Sequence, residues 1–388
     1  MSRESGTTVD RAEFTELTEP FRRELLAHCY RLLGSVDDAE DLVQETYLRA
    51  WRSYEGFQGR SSLRTWLHQI ATNACLTALR NQARRPLPTG LGGPGDNPHA
   101  PLPAGPEIAW LQPIPDALVT PESGDPADIA VSRESLRLAL IASLQYLPPR
   151  QRAVLILREV LAFPTAEVAR MLGTTSAGVK SALQRARARL DEVAPAAGQV
   201  TEPTESHARA LLEQYIAAFE NSDPAALTEL VRKDVTIEMT PSTTWFSGGN
   251  AMAFAIAGLG SPGDWRMIPT FANGQPAAAA YRRGSDGIHH AYAIVVLTAT
   301  ATGISHIVMF GDPGLFARFG LPPALSMPKI SSVQGLSSMP VLVEDAAEAV
   351  ASFYMEEGGG AGPGDRCGQW VQRPGVRDSL MRPVGVHR

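Results

Sequence analysis

The chain has 388 residues, 44% of them hydrophobic and 20% charged, with a net charge of −6. Such a composition can bury cores in two or three ordinary domains and excludes a wholly disordered or coiled-coil protein. The three cysteines, Cys29, Cys75 and Cys367, form no C-x-x-C pair. This argues against a disulfide framework and a cysteine zinc site, and for a reducing compartment, the cytoplasm. No metal ion or cofactor is expected.

The N-terminal stretch lacks the apolar core of a signal peptide. The uncharged run 291–310 is β-rich rather than leucine-rich. It predicts two strands and a turn, not a membrane helix, and no association with a membrane is expected.

Charge is segmented along the chain. Residues 10–85 balance 11 basic against 11 acidic groups, but 56–85 carries five arginines and no acid. Residues 86–132 hold six acids, 11 prolines and no Lys or Arg. Ten basic and five acidic groups give residues 133–192 a net +5, whereas seven basic and eleven acidic groups give 200–328 a net −4. Two basic segments flank an acidic, proline-rich spacer, a pattern that suits a polyanion partner but also an ordinary solvated surface. The organisation predicted is 10–85 helical, 86–132 linker, 133–192 helical, 204–328 a third domain, and 329–388 a poorly ordered tail with one short helix over 343–354. The linker has the composition of a disordered spacer. Within it, the apolar stretch 107–119 around Trp110 is expected to dock on the rest of the protein.

In the first segment, 11–33 reads as a helix that Gly34 and Ser35 end. A second helix is predicted over 37–53. Ala39, Leu42, Val43, Thr46 and Ala50 form its buried stripe at helical spacing, and Asp41, Gln44, Glu45, Leu48 and Arg52 form the opposite, exposed face. A glycine-punctuated loop, 54–62, leads to a third helix over 63–85. Phe57, Trp66, His68 and the arginine cluster mix rings with cations, which suits single-stranded nucleic acid. Phe57 in the loop is the better stacking candidate, because Trp66 and Ile70 lie four apart and suit a core.

Residues 133–192 predict a helix over 132–146, a second from Pro149, and a helix-turn-helix over 165–190. Gly173 ends a short helix and Thr175 can cap the next. Val179, Leu183, Ala186 and Leu190 fall on one side of that last helix. Ala177, Ser181, Gln184 and Ala188 fall on the other, flanked by Lys180 and Arg185. Small side chains permit close approach to a groove, and Gln and Arg can read base edges.

These residues carry a resemblance. Asp37-Asp-Ala-Glu-Asp-Leu-Val-Gln-Glu-Thr-Tyr-Leu-Arg-Ala-Trp51 and Ser62-Leu-Arg-Thr-Trp-Leu-His-Gln-Ile-Ala-Thr-Asn-Ala-Cys75 resemble region 2 of sigma-70 factors. Leu147-Pro-Pro-Arg-Gln-Arg-Ala-Val-Leu155 and the helix-turn-helix resemble region 4. Two such motifs in order, with a variable linker between them, resemble the extracytoplasmic-function (ECF) subfamily. The resemblance implies that Asp41, Gln44, Glu45, Leu48 and Arg52 meet the clamp helices of the polymerase β′ subunit. It implies that Phe57, Gln58, Arg60, Asn73, Arg80, Arg84 and Arg85 serve the −10 element. It also implies that Ala177, Lys180, Ser181, Gln184, Arg185 and Ala188 enter the −35 major groove, with region 4 on the β flap. The linker would then thread the polymerase toward its RNA exit path.

For residues 204–328, helices over 205–220 and 224–231 are predicted to precede strands over 235–239, 277–283, 288–298 and 304–310. This order suggests an α+β cone. With Phe219-x-x-x-Asp-Pro-x-x-Leu and Asp312-Pro-Gly-Leu-Phe-Ala-Arg-Phe-Gly-Leu-Pro322, the segment resembles the SnoaL-like branch of the NTF2 superfamily. Glu238, Trp245, His290 and Asp312 are the candidates for a ligand pocket, with its ligand unknown. No pair of residues has a spacing that demands catalysis. The whole is therefore expected to be a multidomain protein of two all-α domains and an α+β cone. It reads as a sigma factor that binds core RNA polymerase and promoter DNA and is regulated by its own cone, whose net negative charge would attract the basic 133–192 segment. The alternatives are a ligand-sensing helix-turn-helix regulator, and a SnoaL-like cyclase or isomerase fused to a DNA-binding module.

Overall fold

Proline decides the first departure from the predicted helices. Pro20 interrupts 11–33, so α1 (Arg11–Thr18) passes through a 3-10 turn at Glu19–Phe21 before α2 (Arg22–Leu33) begins. The structure is a computed structural model and describes residues 11–57, 59, 61–80, 82–102, 107–120, 129, 133–193 and 204–325. The predicted tail, its helix and Cys367 lie outside the described residues.

Gly34 ends α2 with φ 71°, a left-handed conformation that favours glycine. Ser35 caps α3 (Val36–Ser53) by accepting the Asp38 amide at 3.1 Å, and Asp37 and Asp38 complement the positive end of the helix. Ala39, Val43, Thr46 and Ala50 are buried, as the stripe predicts, and Leu42 packs partly buried against the same core. Helix α4 spans Leu63–Ala78 rather than 63–85. Pro86 disfavours a helical conformation for the residue before it, and 82–87 is not helical. Cys29 and Cys75 are buried free thiols.

The stretch from Glu107 that was expected to dock does so. Leu111, Ile114 and Val119 are buried, although Trp110 is only half-buried. A short helix, α5 (Asp116–Val119), closes this stretch. Gln112, in the same stretch, is tied to the first helical segment by hydrogen bonds. Gln112 receives the Tyr30 hydroxyl at 2.7 Å on its carbonyl and the Ser35 hydroxyl at 2.8 Å on Oε1. Its main-chain amide donates to Gly34 at 3.0 Å.

The second helical segment contains α6 (Leu138–Leu144), α7 (Pro149–Leu155) continuing into a π-helical turn at Ile156–Val160, α8 (Thr165–Met171) and α9 (Ser176–Val193). Arg133 and Glu134 start a separate short turn, so the helix predicted over 132–146 is shorter. The helix-turn-helix is present. Gly173 takes φ 59°, and Thr175 Oγ1 accepts the Gly178 amide at 3.0 Å. Val179 and Ala186 are buried, with Leu183 and Leu190 partly buried beside them.

The cone begins with α10 (Glu205–Glu220) and α11 (Pro224–Leu230). Strands β1 (Val231–Thr240) and β2 (Trp245–Ser247), α12 (Gly248–Gly258) and β3 (Trp265–Ala272) follow. The chain then forms β4 (Gln275–Arg283), β5 (His289–Thr300), β6 (Gly303–Phe310), α13 (Leu315–Arg318) and β7 (Ala324–Leu325). The strand order is β2-β1-β6-β5-β4-β3, with β7 on β5, and β1–β6 is the parallel pair. The charge-free run is the β5–β6 hairpin, as predicted. Strand β3 was not anticipated, although Asn273-Gly274 between two apolar runs is a hairpin-turn signal.

The two faces of the sheet have different partners. Ala278, Ala280, Val295, Leu297 and Ile307 pack with the cone's own helices. The alternate residues, Ala277, Ala279, Ile294, Val296 and Val308, belong to one continuous apolar cluster with the two helical segments. Strand alternation thus lets the sheet bury one face at home and the other against its neighbours.

Candidate promoter and polymerase interfaces

The exposed face of α3 is open. Leu48 is 55% exposed and Trp51 37%, and Asp41, Gln44 and Arg52 are exposed as well. Glu45 is half-buried and pairs with Arg49 at 2.7 Å. Leu48 and Trp51 thus place two large apolar side chains among the charges of this helix. Arg318 of the cone reaches the start of the same helix, pairing with Asp37 at 2.6 Å and Glu40 at 2.7 Å.

The residues proposed for the −10 element separate into three groups. Phe57 is half-buried in an aromatic set, 4.7 Å from the Trp66 ring centroid and 6.2 Å from that of Tyr54. Asn73 and Arg80 are exposed near the end of α4, while Gln58 and Arg60 lie outside the described residues. Arg84 and Arg85 have partners within the protein. The Arg84 guanidinium sits 4.2 Å from the Tyr146 ring centroid and donates to the Gly90 carbonyl at 3.0 Å. Arg85 pairs with Asp38 at 2.6 Å and donates to the Trp110 carbonyl at 3.2 Å.

On α9, Ala177, Lys180, Ser181, Gln184, Arg185 and Ala188 are all exposed. The burial of Val179 and Ala186 against α7 and α8 turns this side outward. Arg185 donates to Ser181 at 2.6 Å, which holds its guanidinium along the helix.

The two helical segments touch each other. Arg64 of α4 stacks 4.5 Å from the Phe163 ring centroid, and Thr65 donates to Glu167 at 3.2 Å. Arg152, 3% exposed, donates to the carbonyls of Leu32 and, at 3.2 Å, Leu147. Burial lowers the pKa of this guanidinium to about 10. His68 is fully buried, with its ring 5.3 Å from that of Phe163. Burial holds its pKa down at about 4, outweighing the opposite pull of Glu24, whose Oε1 lies 3.3 Å from Nε2.

The four pocket candidates are taken up in other ways. Glu238 is buried on the face of the sheet turned toward the helical segments, opposite Val308. It accepts the Thr89 amide at 2.6 Å and pairs with His306 at 2.6 Å. Trp245, its cross-strand neighbour, donates to the Gly92 carbonyl at 2.9 Å. His290 pairs with Asp286 at 2.8 Å on an exposed turn, and Asp312 accepts the Gly314 amide at 2.9 Å in its own turn. Linker residues therefore cover the Glu238–Trp245 pair that the sequence assigned to a ligand.

Two helical modules in this order, the second carrying a helix-turn-helix, are the layout of a sigma-70-type transcription factor, and the family matches show that class. The Sigma-70 region 2 family matches residues 17–85, and the Sigma-70 region 4 family matches 137–190. The chain is 53% identical over 319 residues to the ECF RNA polymerase sigma factor SigG of Mycobacterium tuberculosis, covering 81% of this chain and 85% of that protein. It is 32% identical over 220 residues to the ECF sigma factor SigJ of the same species, covering 56% of this chain and 62% of that protein. The crystal structure of SigJ shares the fold with a TM-score of 0.52 at 24% identity, covering 80% of this chain and 99% of that one. The chain belongs to the ECF RNA polymerase sigma factors. Its third domain is an α+β sheet domain, within the fold shared with the SigJ structure.

Proposed function

We propose that this sigma factor docks on the β′ clamp helices of core polymerase through Asp41, Gln44, Glu45, Leu48 and Arg52, and on the β flap through region 4. Phe57, Gln58, Arg60, Asn73, Arg80, Arg84 and Arg85 serve the −10 element, and the outward side of α9 reads the −35 element. The protein acts in the cytoplasm and has no catalytic chemistry of its own. The cone restrains promoter engagement from within the same chain. Arg84 and Arg85 are occupied in this closed form and become available to DNA when it opens.

The observation that carries the polymerase assignment is Leu48, 55% exposed with Trp51 nearby among the charges of α3. A repressor has no use for such a face beside a strand-capturing loop. A cyclase or isomerase reading finds Glu238 capped by the linker. One ion pair of the kind expected from net charge joins Arg133 of the basic segment to Glu205 of the cone at 3.9 Å, but it is not the main attraction. Instead, the cation Arg318 of the cone meets acids of region 2, and apolar contact dominates.

Leu48→Asp is expected to weaken binding to core polymerase at least tenfold while helicity is unchanged, since the side chain is not part of the buried stripe. Surface-plasmon titration of polymerase over the immobilised variant measures this, and unchanged affinity sinks the docking assignment. Gln184→Ala is expected to flatten the preference at one −35 base pair by about 1–3 kcal/mol, the usual value of a base-edge contact. Holoenzyme binding to a panel of single −35 substitutions checks this. An equal loss on every sequence indicates a phosphate contact instead.

A further inference from the structure

Three consecutive residues, Asn273 and Gly274 of the β3–β4 turn and Gln275 at the start of β4, tie the cone to both helical segments and the linker. Asn273 is fully buried with φ 57°. Its Nδ2 donates to the Tyr30 hydroxyl of region 2 at 2.8 Å and to the Leu136 carbonyl ahead of α6 at 2.7 Å. Its Oδ1 accepts the Ile114 amide of the linker at 3.0 Å, and its own amide donates back to the Ile114 carbonyl at 3.0 Å. The Gly274 amide donates to Asp116 at 2.8 Å, and a Cβ at Gly274 would come 2.6 Å from the Arg133 carbonyl. Gln275 accepts the Leu138 amide at 3.0 Å and anchors its own amide on Leu297 at 3.2 Å and Thr298 at 3.0 Å.

Both donors of one side-chain amide are therefore spent on two different modules, and its acceptor on the linker between them. The Tyr30 hydroxyl already donates to Gln112, so only a donor can satisfy it from the cone side. Apolar packing tolerates sliding, whereas this arrangement accepts one relative placement of region 2 and region 4. In that placement the modules are in direct contact through Arg64 and Phe163. By their register, the −10 and −35 elements lie about 25 base pairs apart, or roughly 85 Å along B-DNA at 3.4 Å per step. A duplex that short, against a persistence length of about 150 base pairs, does not fold back to bring the elements together. The outward sides of α3 and α9 nevertheless stay exposed.

We propose that Asn273 is a positioning residue that sets the spacing of the two DNA-reading modules. While it is seated, the protein can meet polymerase or a −35 element singly but cannot span a complete promoter. This rests on the reading of the cone as a restraint and names the contact that applies it.

The test uses the full-length chain with Cys367→Ser and dyes on Glu55→Cys and Glu192→Cys. Asn273→Asp keeps a residue tolerant of left-handed backbone but cannot donate to Tyr30 and Leu136. It is expected to add a long-distance population in energy-transfer measurements and to raise transcription from a two-element promoter about tenfold with core polymerase. Affinity for a −35-only duplex and for polymerase should stay within twofold. Tyr30→Phe, which removes the same contact from the region 2 side, should act in the same direction. Wild-type distances and output in both variants overturn the proposal, as does an equal rise in −35-only binding, which would mean general loosening. A chain ended after Val200 runs in parallel. If it gains output while the two variants do not, the pin is wrong and the restraint stands. If none of the three gains, the restraint itself fails.

Discussion

A chain ended at Val200 should drive more transcription from a two-element promoter than the full-length protein, by about tenfold to a thousandfold. The cone contributes the Asn273 hydrogen bonds to region 2, the linker and the approach to α6, together with the Arg318 pairs to Asp37 and Glu40. At about 0.5–1.5 kcal/mol each, three buried hydrogen bonds amount to about 1.5–4.5 kcal/mol in favour of the closed form. Each 1.4 kcal/mol is a factor of about ten in an equilibrium. The shortened chain keeps an apolar core of its own, with Leu25, Leu26, Val43, Ile141, Val154 and Ile156 among its buried residues. It also uncovers the region around Ile114, Leu136 and Leu138 on which the sheet sits, so its self-association should rise, as sedimentation would show. Multiple-round transcription with saturating core polymerase measures the main effect. Output equal to or below that of the full-length chain would show that the cone does not restrain initiation.

Mild acid should loosen the contact between region 2 and region 4. His68 is neutral in the folded protein because burial holds its pKa at about 4, and His28 beside it is lowered in the same sense by burial and by the charge of His68. An unfolded histidine takes up its proton near pH 6.5. Between pH 6.5 and 4 the unfolded chain therefore binds more protons than the folded one, and stability falls as pH falls through that window. For His68 alone the full loss is about 3 kcal/mol, complete near its folded pKa. Glu24 faces the ring and favours its protonation, whereas Arg31 and Arg64 oppose it. Urea unfolding of wild type and His68→Gln from pH 7 to 4 isolates the effect from carboxylate titration. The stability of the wild type should drop more steeply. Parallel curves would show that His68 does not titrate on unfolding in this range.

Much of the two helical modules was legible in the sequence because their signals are local. Ala39, Val43, Thr46 and Ala50 repeat at helical spacing, and the same spacing left Leu48 stranded on the open face. Gly173, Thr175, Val179 and Ala186 placed the turn, the cap and the buried side of α9. The surroundings of the residues assigned to the −10 element were less legible. The reach of α4 was overestimated because nothing periodic marks its end at Ala78. The capture of Arg85 by Asp38 and of Arg84 by Tyr146 depends on segments far away in the chain. The pocket assignment rested on residue type alone. Glu238 and Trp245 are indeed cross-strand neighbours, but the linker segment that covers them begins about 150 positions earlier.

The sequence by itself determined the module order, the helix faces and the outward side of the helix-turn-helix, since periodicity and capping act within a few residues. Only the tertiary structure decided that the linker is held around Thr89 and Gln112, that the sheet buries both faces, and that the modules meet. An Asn-Gly pair in any hairpin turn looks the same in sequence, and nothing near Asn273 announces that its amide is buried. Its partner Tyr30 lies 243 residues away, and the bond forms only because a whole face of the sheet packs on the helices and excludes water from that turn. A buried amide must then find its donors and acceptors in whatever that packing brings to it, and here it meets region 2, the linker and the approach to region 4 at once.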